Sequence, residues 1–244
     1  MRTANSPITI APQKTALLIV DMQNIWLSEP LNPHGPGHVA EAALLKYAIP
    51  AARKAGIQII WLNWGITDSD FESLPPNTIR IFSFHLEGNS RKKGIGTDIG
   101  PVELRNGTTV EGGRLLMRGQ WNTALHDPLE PVYQDGLEAS PPDRLFHKNR
   151  ISGMCEAMTE CTDFLRRGGF KTLLFTGINT DVCVAATLQD ANLRGFDTVL
   201  LKDGCGTTNG EAAAEVIERN CKRAWGFLST CEDLETGVEN MVVQ

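Results

Sequence analysis

Several kinds of feature are scarce in this 244-residue chain, and each absence excludes a class of protein. No apolar run approaches the roughly 18 residues that a membrane-spanning helix requires, so we expect no membrane partner. Residues 1–14 are polar and lack the apolar core of a signal peptide, which predicts an intracellular, cytoplasmic protein. Basic residues (23) are fewer than acidic ones (29). The net charge of −6 therefore argues against a nucleic-acid partner, which would need a basic face.

Cysteine is scarce as well. The six cysteines form no Cys-x-x-Cys pair, and no histidine stands at zinc-finger spacing from them. This pattern argues against a disulfide scaffold and against a structural zinc site. We therefore expect most thiols to be reduced and buried, so that a cysteine in an unusual position is a candidate for chemistry.

The composition is that of an ordinary globular protein, with 41% hydrophobic and 21% charged residues. Short apolar runs alternate with helical patterns, which is typical of βαβ units around a parallel sheet. The predicted fold is α/β, a Rossmann-like three-layer α/β/α arrangement with a mostly parallel sheet of about six strands. Strands are predicted at 15–20, 57–62, 144–147, 171–176, 196–202 and 225–229, and helices at 39–55, 154–167, 181–194 and 211–223.

Residues 65–121 interrupt this alternation. The segment is rich in Gly, Pro, Asn and Thr and has no clean periodicity. Loops longer than about 15 residues often act as lids or binding loops. We predict a single domain, 1–244, in which this insertion is either a lid over the substrate or an oligomer contact, and both interpretations stay open.

Candidate chemistry lies after the predicted strands, because ligands bind outside the carboxyl ends of the strands in open parallel sheets. The first strand is followed by Asp21, the second by Asn63 and the third by Lys148. The fourth is followed by the segment 177–183, which ends in Cys183. Each of these residue types is more often structural than catalytic. The convergence of an acid, a base and a thiol on one rim is what favours an active site.

Cys183 is the strongest single candidate among them. Thr180 is a good N-cap for the helix that follows, and it would place Cys183 in the first helical turn. Backbone N–H groups and the helix dipole stabilise a thiolate there. We therefore expect the pKa of this thiol to lie below its usual value of about 8.5.

Three segments give the chain a family resemblance. They are LLIVDMQN (17–24), HKNRISGM (147–154) and TGINTDVCVAATLQDANLRGF (176–196), and they stand at the ends of three predicted strands. In this order they resemble the isochorismatase-like cysteine hydrolase family, over nearly all of the chain outside 65–121.

The resemblance implies a catalytic triad of Asp21, Lys148 and Cys183 and a cis peptide bond between Ile178 and Asn179. In such a site Asp21 takes the thiol proton, and the Cys183 thiolate attacks an amide or ureide carbonyl to form a thioester. The main-chain N–H groups of Asn179 and Cys183 would hold the oxyanion. No metal or organic cofactor is needed for this chemistry, and the partner is a small-molecule substrate.

The segment WLNWGITDSD (61–70) helps to decide which subfamily the chain resembles. Nicotinamidase-like relatives carry an Asp-x-His metal motif here, and this chain has no histidine there, so we expect no metal site. The K-x-R-x-S-G segment from Lys148 and the G-x-W that ends at Trp121 are most similar to ureidoacrylate amidohydrolases. Biuret hydrolases and carbamoyl-amine hydrolases stay open as alternatives. The resemblance also implies a homodimer or homotetramer.

Four residues are predicted to contact the substrate: Asn24, Trp64, Trp121 and Asn179. The two asparagines suit an amide or a carboxylate, because they both donate and accept hydrogen bonds. The two tryptophans have an alternative role in the core, since large aromatic residues are mostly buried for packing. His85 and His126 are weaker candidates.

A second class of function stays open, a vinyl-ether hydrolase of the isochorismatase type in which Asp21 is the general acid and Cys183 is idle. A third is a catalytically silent binding protein with the same fold. The complete set of Asp21, Lys148 and Cys183 argues against the third.

Overall fold

The computed structural model describes residues 1–32, 35–81, 94–156 and 159–241. The strands are β1 (Thr15–Val20), β2 (Gln58–Trp64), β3 (Pro101–Glu103), β4 (Thr109–Glu111), β5 (Arg144–Lys148), β6 (Thr172–Ile178), β7 (Asp197–Gly206) and β8 (Phe227–Ser229). Six of them form one parallel sheet in the order β5-β2-β1-β6-β7-β8, and β3 and β4 form a separate antiparallel pair.

The helices are α1 (Asn24–Leu27), α2 (Pro36–Ala43), α3 (Ile49–Ala55), α4 (Asp68–Ser73), α5 (Pro76–Arg80), α6 (Glu130–Leu137), α7 (Thr159–Arg167), α8 (Ala185–Leu193), α9 (Glu211–Asn220) and α10 (Cys231–Glu239). Short 3₁₀ turns span Pro12–Lys14 and Trp121–Thr123, and π-helical turns span Leu44–Ala48, Thr180–Val184 and Cys221–Trp225. None of the helices in the described residues is long and apolar enough to span a membrane.

The sheet is covered on both faces, as the unbroken apolar run of β1 predicts for a central parallel strand. Because side chains alternate along a strand, Leu18 and Ile60 belong to one core, which α7, α8 and α9 complete. Leu17 and Trp61 belong to the other, which α3 and α10 complete. The three-layer α/β/α prediction is therefore confirmed.

Several strands are longer than predicted at their carboxyl ends. β2 continues to Trp64, β6 to Ile178 and β7 to Gly206. The apolar pattern stops at the first polar residue, but the hydrogen-bonded ladder does not, because Asn63 pairs with His147 and Trp64 with Lys148 on β5. The prediction that Asn63 follows the second strand is therefore wrong.

The helix predicted at 39–55 begins earlier, at Pro36, which is well suited to a first helical position. A π-helical turn, Leu44–Ala48, separates α2 from α3, whose second residue is Pro50. A proline lacks the N–H that a regular turn requires, and the wider turn accommodates that gap. The helix ends at Gly56, in the left-handed conformation with φ of 71°, as predicted.

The insertion 65–121 is more regular than its sequence predicts, because it contains α4, α5 and the β3–β4 hairpin. Asn122, fully buried, accepts a hydrogen bond from Leu116 N and donates to the carbonyl oxygens of Gly112 and Arg114. One side chain thus satisfies three backbone groups of this irregular segment. Residues 82–93, which include His85, lie outside the described residues, as do 157–158 in the helix predicted from 154.

Candidate active site

Three predicted catalytic residues meet at the carboxyl end of the sheet. Asp21 follows β1, Lys148 is the last residue of β5, and Cys183 lies in the π-helical turn after β6. Lys148 Nζ lies 2.9 Å from Asp21 Oδ2 and 3.4 Å from Cys183 Sγ. The exposed fractions of the three residues are 1%, 0% and 4% in chain order. The sequence prediction that these side chains converge is correct, and the group they form is closed to solvent.

The backbone holds Asp21 in an unusual conformation. Its φ of 54° is in the left-handed region, which aspartate tolerates better than most residues. Its N–H donates to Leu62 O, and its Oδ1 accepts from Trp64 N at 3.1 Å. Burial raises the pKa of the Asp21 carboxyl, and the Lys148 ammonium opposes that rise. The carboxylate is consequently a stronger base than an exposed aspartate.

Several partners among the described residues balance the positive charge of the buried Lys148 ammonium. Besides Asp21 and Cys183, it donates to the carbonyl oxygens of Arg150 at 3.2 Å and Ile151 at 3.1 Å. It also lies 3.9 Å from the centroid of the Trp64 ring. A buried charge is tolerable only with such partners. The long lysine side chain reaches from edge strand β5 across β2 toward β1 and β6, which a shorter residue could not do.

Two details predicted for Cys183 are wrong. The residue that precedes the helical turn is Asn179, without a side-chain capping bond, and Thr180 is already inside the turn. The thiol pKa is not lowered. Burial raises the pKa of Cys183 to about 12, and the attraction of Lys148 only partly opposes this. The start of the helical turn does not compensate for the loss of water around the buried sulfur. The proton therefore stays on the sulfur until a base takes it.

The four predicted substrate residues lie in different environments. Asn24 is buried and donates from Nδ2 to the carbonyl oxygen of the half-buried Trp121 at 3.1 Å. Trp64 is fully buried against the triad. The peptide bond before Asn179 is cis, as the family resemblance implies. Asn179 lines a cleft of about 20 Å³, enough for one water, together with Trp26, Asn32, His38, Ile178 and Thr207.

Gln23 is a site residue that the sequence prediction missed. Its fully buried side chain accepts from Trp64 N at 3.0 Å and donates to Trp64 O at 2.8 Å and Thr123 O at 2.7 Å. The available signal was a polar residue two positions after Asp21 in a buried segment. The weaker candidate His126 instead pairs with Glu41 at 2.7 Å. Within the described residues, His, Cys, Asp and Glu form no group of three or more that could hold a metal.

Comparison with known proteins identifies the family. A model of the isochorismatase domain matches residues 15–230, which include all three triad positions. The chain is 34% identical to ureidoacrylate amidohydrolase RutB of Enterobacter sp. (strain 638), over 93% of this chain and 90% of that protein. The chain belongs to the isochorismatase domain family, and the predicted resemblance to isochorismatase-like cysteine hydrolases is confirmed.

Solved structures share the fold. A cysteine hydrolase from Pseudomonas syringae pv. phaseolicola 1448A superposes with a TM-score of 0.67 at 18% identity, covering 98% of each chain. An N-carbamoylsarcosine amidase from Thermoplasma acidophilum superposes with a TM-score of 0.59 at 20% identity, over 90% of this chain and 97% of that one. At these identities the likeness concerns the fold alone.

Proposed function

We propose that this chain is a cysteine-dependent amidohydrolase that cleaves a carbon–nitrogen bond of a small ureide. It acts on carbon–nitrogen bonds other than peptide bonds and forms a thioester with its substrate. The observation that supports this most is that one buried ammonium, on Lys148, contacts both the Asp21 carboxylate and the Cys183 sulfur. The similarity to a ureidoacrylate amidohydrolase supports a ureide over a simple amide.

The first step moves the thiol proton to Asp21. Burial raises the pKa values of both groups, so the carboxylate is basic enough to accept a proton that the thiol does not lose to water. The Cys183 sulfur then bonds to the carbonyl carbon, and the carbonyl π electrons move to oxygen. The main-chain N–H groups of Asn179 and Cys183 are the proposed donors to that oxyanion.

The second step breaks the carbon–nitrogen bond. The oxyanion collapses, Asp21 returns its proton to the leaving nitrogen, and a thioester remains on Cys183. A water molecule then gives one proton to Asp21 and bonds to the thioester carbon. The acid product leaves, and Asp21 returns that proton to the sulfur. These steps use only protein groups and water.

The insertion 65–121 is the proposed lid. The triad is almost fully closed to solvent, so substrate entry requires some element to move. The insertion leaves from the end of β2, and Asp70 of α4 accepts a hydrogen bond from Asn149 Nδ2 at 2.6 Å, directly beside Lys148. We further propose a cytoplasmic homodimer or homotetramer, the assembly that the family resemblance suggests.

The test is a substrate panel with two matched cysteine variants. Release of ammonium is measured with ureidoacrylate, other N-carbamoyl amines, biuret and primary amides, and pyruvate release with isochorismate as the control. Cys183→Ala should reduce ureide turnover by about 10³-fold or more. Cys161→Ala should leave turnover within about threefold, since Cys161 is an equally buried thiol on α7 that is not part of the Asp21–Lys148–Cys183 group.

The proposal fails if Cys183→Ala retains activity near that of the parent. It also fails if isochorismate is the one compound consumed, because that result would assign Asp21 the role of general acid for a vinyl ether.

A further inference from the structure

One backbone N–H beside the triad is shared between two side chains. The N–H of Trp64 donates to Asp21 Oδ1 at 3.1 Å and to Gln23 Oε1 at 3.0 Å. In such a three-centre bond each acceptor receives less than it would from an undivided N–H. One acceptor is an ionisable carboxylate and the other is a neutral amide. The part of the bond that Gln23 takes is therefore withheld from the proposed base.

Three hydrogen bonds hold the Gln23 side chain in place. The side chain is fully buried, and its Nε2 donates to the carbonyl oxygens of Trp64 at 2.8 Å and Thr123 at 2.7 Å. These two carbonyl acceptors require the NH₂ group on their side, so the amide oxygen is directed to the Trp64 N–H. One amide thus pairs with both main-chain groups of Trp64 and ties the end of β2 to the turn that follows the insertion.

A tight turn after β1 brings the two acceptors to the same N–H. Asp21 has a φ of 54°, and its carbonyl oxygen accepts from the N–H of Gln23 at 2.8 Å. The other carboxylate oxygen, Oδ2, lies 2.9 Å from Lys148 Nζ. Asp21 therefore has one charged partner for Oδ2 and only a share of a neutral donor for Oδ1.

This division matters because a hydrogen bond to a carboxylate stabilises its charged form and makes it a weaker base. Burial raises the pKa of Asp21, while the Lys148 charge and the Trp64 N–H both oppose the rise. A base that takes the proton of a buried thiol needs the raised value. An undivided N–H from Trp64 would lower it further.

We propose that Gln23 is a positioning residue for the base: by accepting part of the Trp64 N–H, it keeps Asp21 Oδ1 from receiving the whole of that bond. The carboxylate consequently stays a strong proton acceptor. The inference rests on the proposed function in that Asp21 takes the thiol proton. No bond to Gln23 forms or breaks. Lys148 and Cys183 are the ionisable groups beside Asp21, and the neighbouring segments 61–64 and 121–124 contain none.

The test follows alkylation of Cys183 by iodoacetamide, which needs no substrate and is located by peptide mass spectrometry. The rate is measured from about pH 4 to pH 9, and it should fall on the acidic side where Asp21 becomes protonated. Gln23→Met removes the amide at similar side-chain length. It should lower the plateau rate by about 3- to 10-fold and move the acidic midpoint down by the matching 0.5 to 1 pH unit.

The shape of the pH profile separates this role from structural damage. Below the acidic midpoint Asp21 is protonated in both proteins, so formation of the thiolate no longer depends on its basicity and the two rates should converge. Loss of a purely structural support lowers the rate by the same factor at every pH and leaves the midpoint unchanged. With a ureide, the acidic limb of kcat/KM should move by the same amount as the alkylation midpoint.

Gln58→Met is the matched control. Gln58 is a buried glutamine at the start of β2, and its Nε2 also donates to two carbonyl oxygens, of Ile59 at 2.9 Å and Pro142 at 2.8 Å. This variant should leave the midpoint in place and the plateau within about twofold. Gln23→Glu keeps an acceptor for the Trp64 N–H and should not move the midpoint to lower pH.

A second variant covers the case in which Gln23→Met does not fold. Gln23→Asn keeps an amide but is one methylene shorter, which withdraws the acceptor from the Trp64 N–H, and it should move the midpoint in the same direction. A midpoint that is unchanged or raised in the folded variant would overturn the inference, and so would an equal shift in Gln58→Met. If the midpoint moves as expected but no ureide is hydrolysed, the proposed substrate class is wrong and the role of Gln23 stands.

Discussion

The two faces of the sheet carry similar groups along β2, and only one of them has the parts of a reactive site. On one face Trp64 accompanies the buried pair of Asp21 and Lys148. On the other, Trp61 donates to Asp143, which pairs with Arg53 of α3 at 3.2 Å. Burial raises the pKa of both aspartates.

The differences between the two faces show which features matter for chemistry. The Asp143 pair has a partly exposed arginine and no thiol, and it fastens α3 to the start of β5. The Asp21 pair has a wholly buried lysine within 3.4 Å of a sulfur. A buried ion pair is therefore poor evidence for catalysis by itself. A nucleophile that contacts the cation of such a pair is better evidence for catalysis.

The largest expected effect comes from removing the positive charge of Lys148 beside Asp21 and Cys183. Lys148→Met should reduce kcat/KM by about 10³-fold or more, because neither the Asp21 carboxylate nor the Cys183 thiolate then has a positive charge beside it. Arg53→Met on the opposite face should leave kcat/KM within about threefold. Steady-state kinetics on folded, monodisperse protein compares the two. Equal losses in both variants would contradict the division of roles between the faces.

The next largest effect is on the free energy of unfolding, and it comes from the opposite face of the sheet, which carries Trp61 and Asp143. Asp143→Ala should lower the free energy of unfolding by about 3 kcal/mol, because it leaves the Trp61 indole N–H and the Arg53 guanidinium without their carboxylate partner. The alkylation rate of Cys183 should not change in the folded variant. Urea unfolding at pH 7 measures the first quantity. A loss under 1 kcal/mol would show that the Asp143 cluster contributes little to holding α3.

The smallest effect is a dependence of stability on pH. His147 lies on the Trp61 face, and burial, with the Arg118 charge, lowers its pKa from 6.5 to about 4. The unfolded chain therefore binds a proton between pH 6.5 and 4 that the folded chain does not, so stability falls as pH falls through this window. With a discount for solvent screening, the loss is about 1 to 2 kcal/mol. His147→Gln should remove that part of the slope, and an unchanged slope would refute the assignment.

The sequence was sufficient to predict that Asp21, Lys148 and Cys183 lie together, because three strand ends place them. Asp21, Lys148 and the Cys183 segment each follow a predicted strand, and parallel strands bring such positions to one rim. The place of Trp64 beside Asp21 and Lys148 was not accessible in the same way. It depends on the register that pairs β2 with β5 beyond the apolar run, and on which way the indole turns. The sequence pattern ended that strand at Leu62.

Two other features also depended on tertiary packing. The direction of the Cys183 pKa shift was predicted incorrectly, because local helix arguments do not reveal how completely the sulfur is buried. The regular elements within 65–121 are short and held by side-chain hydrogen bonds such as those of Asn122, so no periodicity marks them in the sequence. Local patterns predicted where the reactive groups meet, and packing decides how their charges balance.

The central claim is that Cys183 forms a covalent acyl intermediate with a ureide. The direct measurement is rapid acid quench during turnover of an N-carbamoyl amine, followed by intact-protein and peptide mass spectrometry. We expect one acyl group on the peptide that contains Cys183, formed in a burst before steady state and absent from the Cys183→Ala variant. Turnover of the ureide with no adduct on Cys183 at any quench time, or with the acyl group on another residue, would contradict the account.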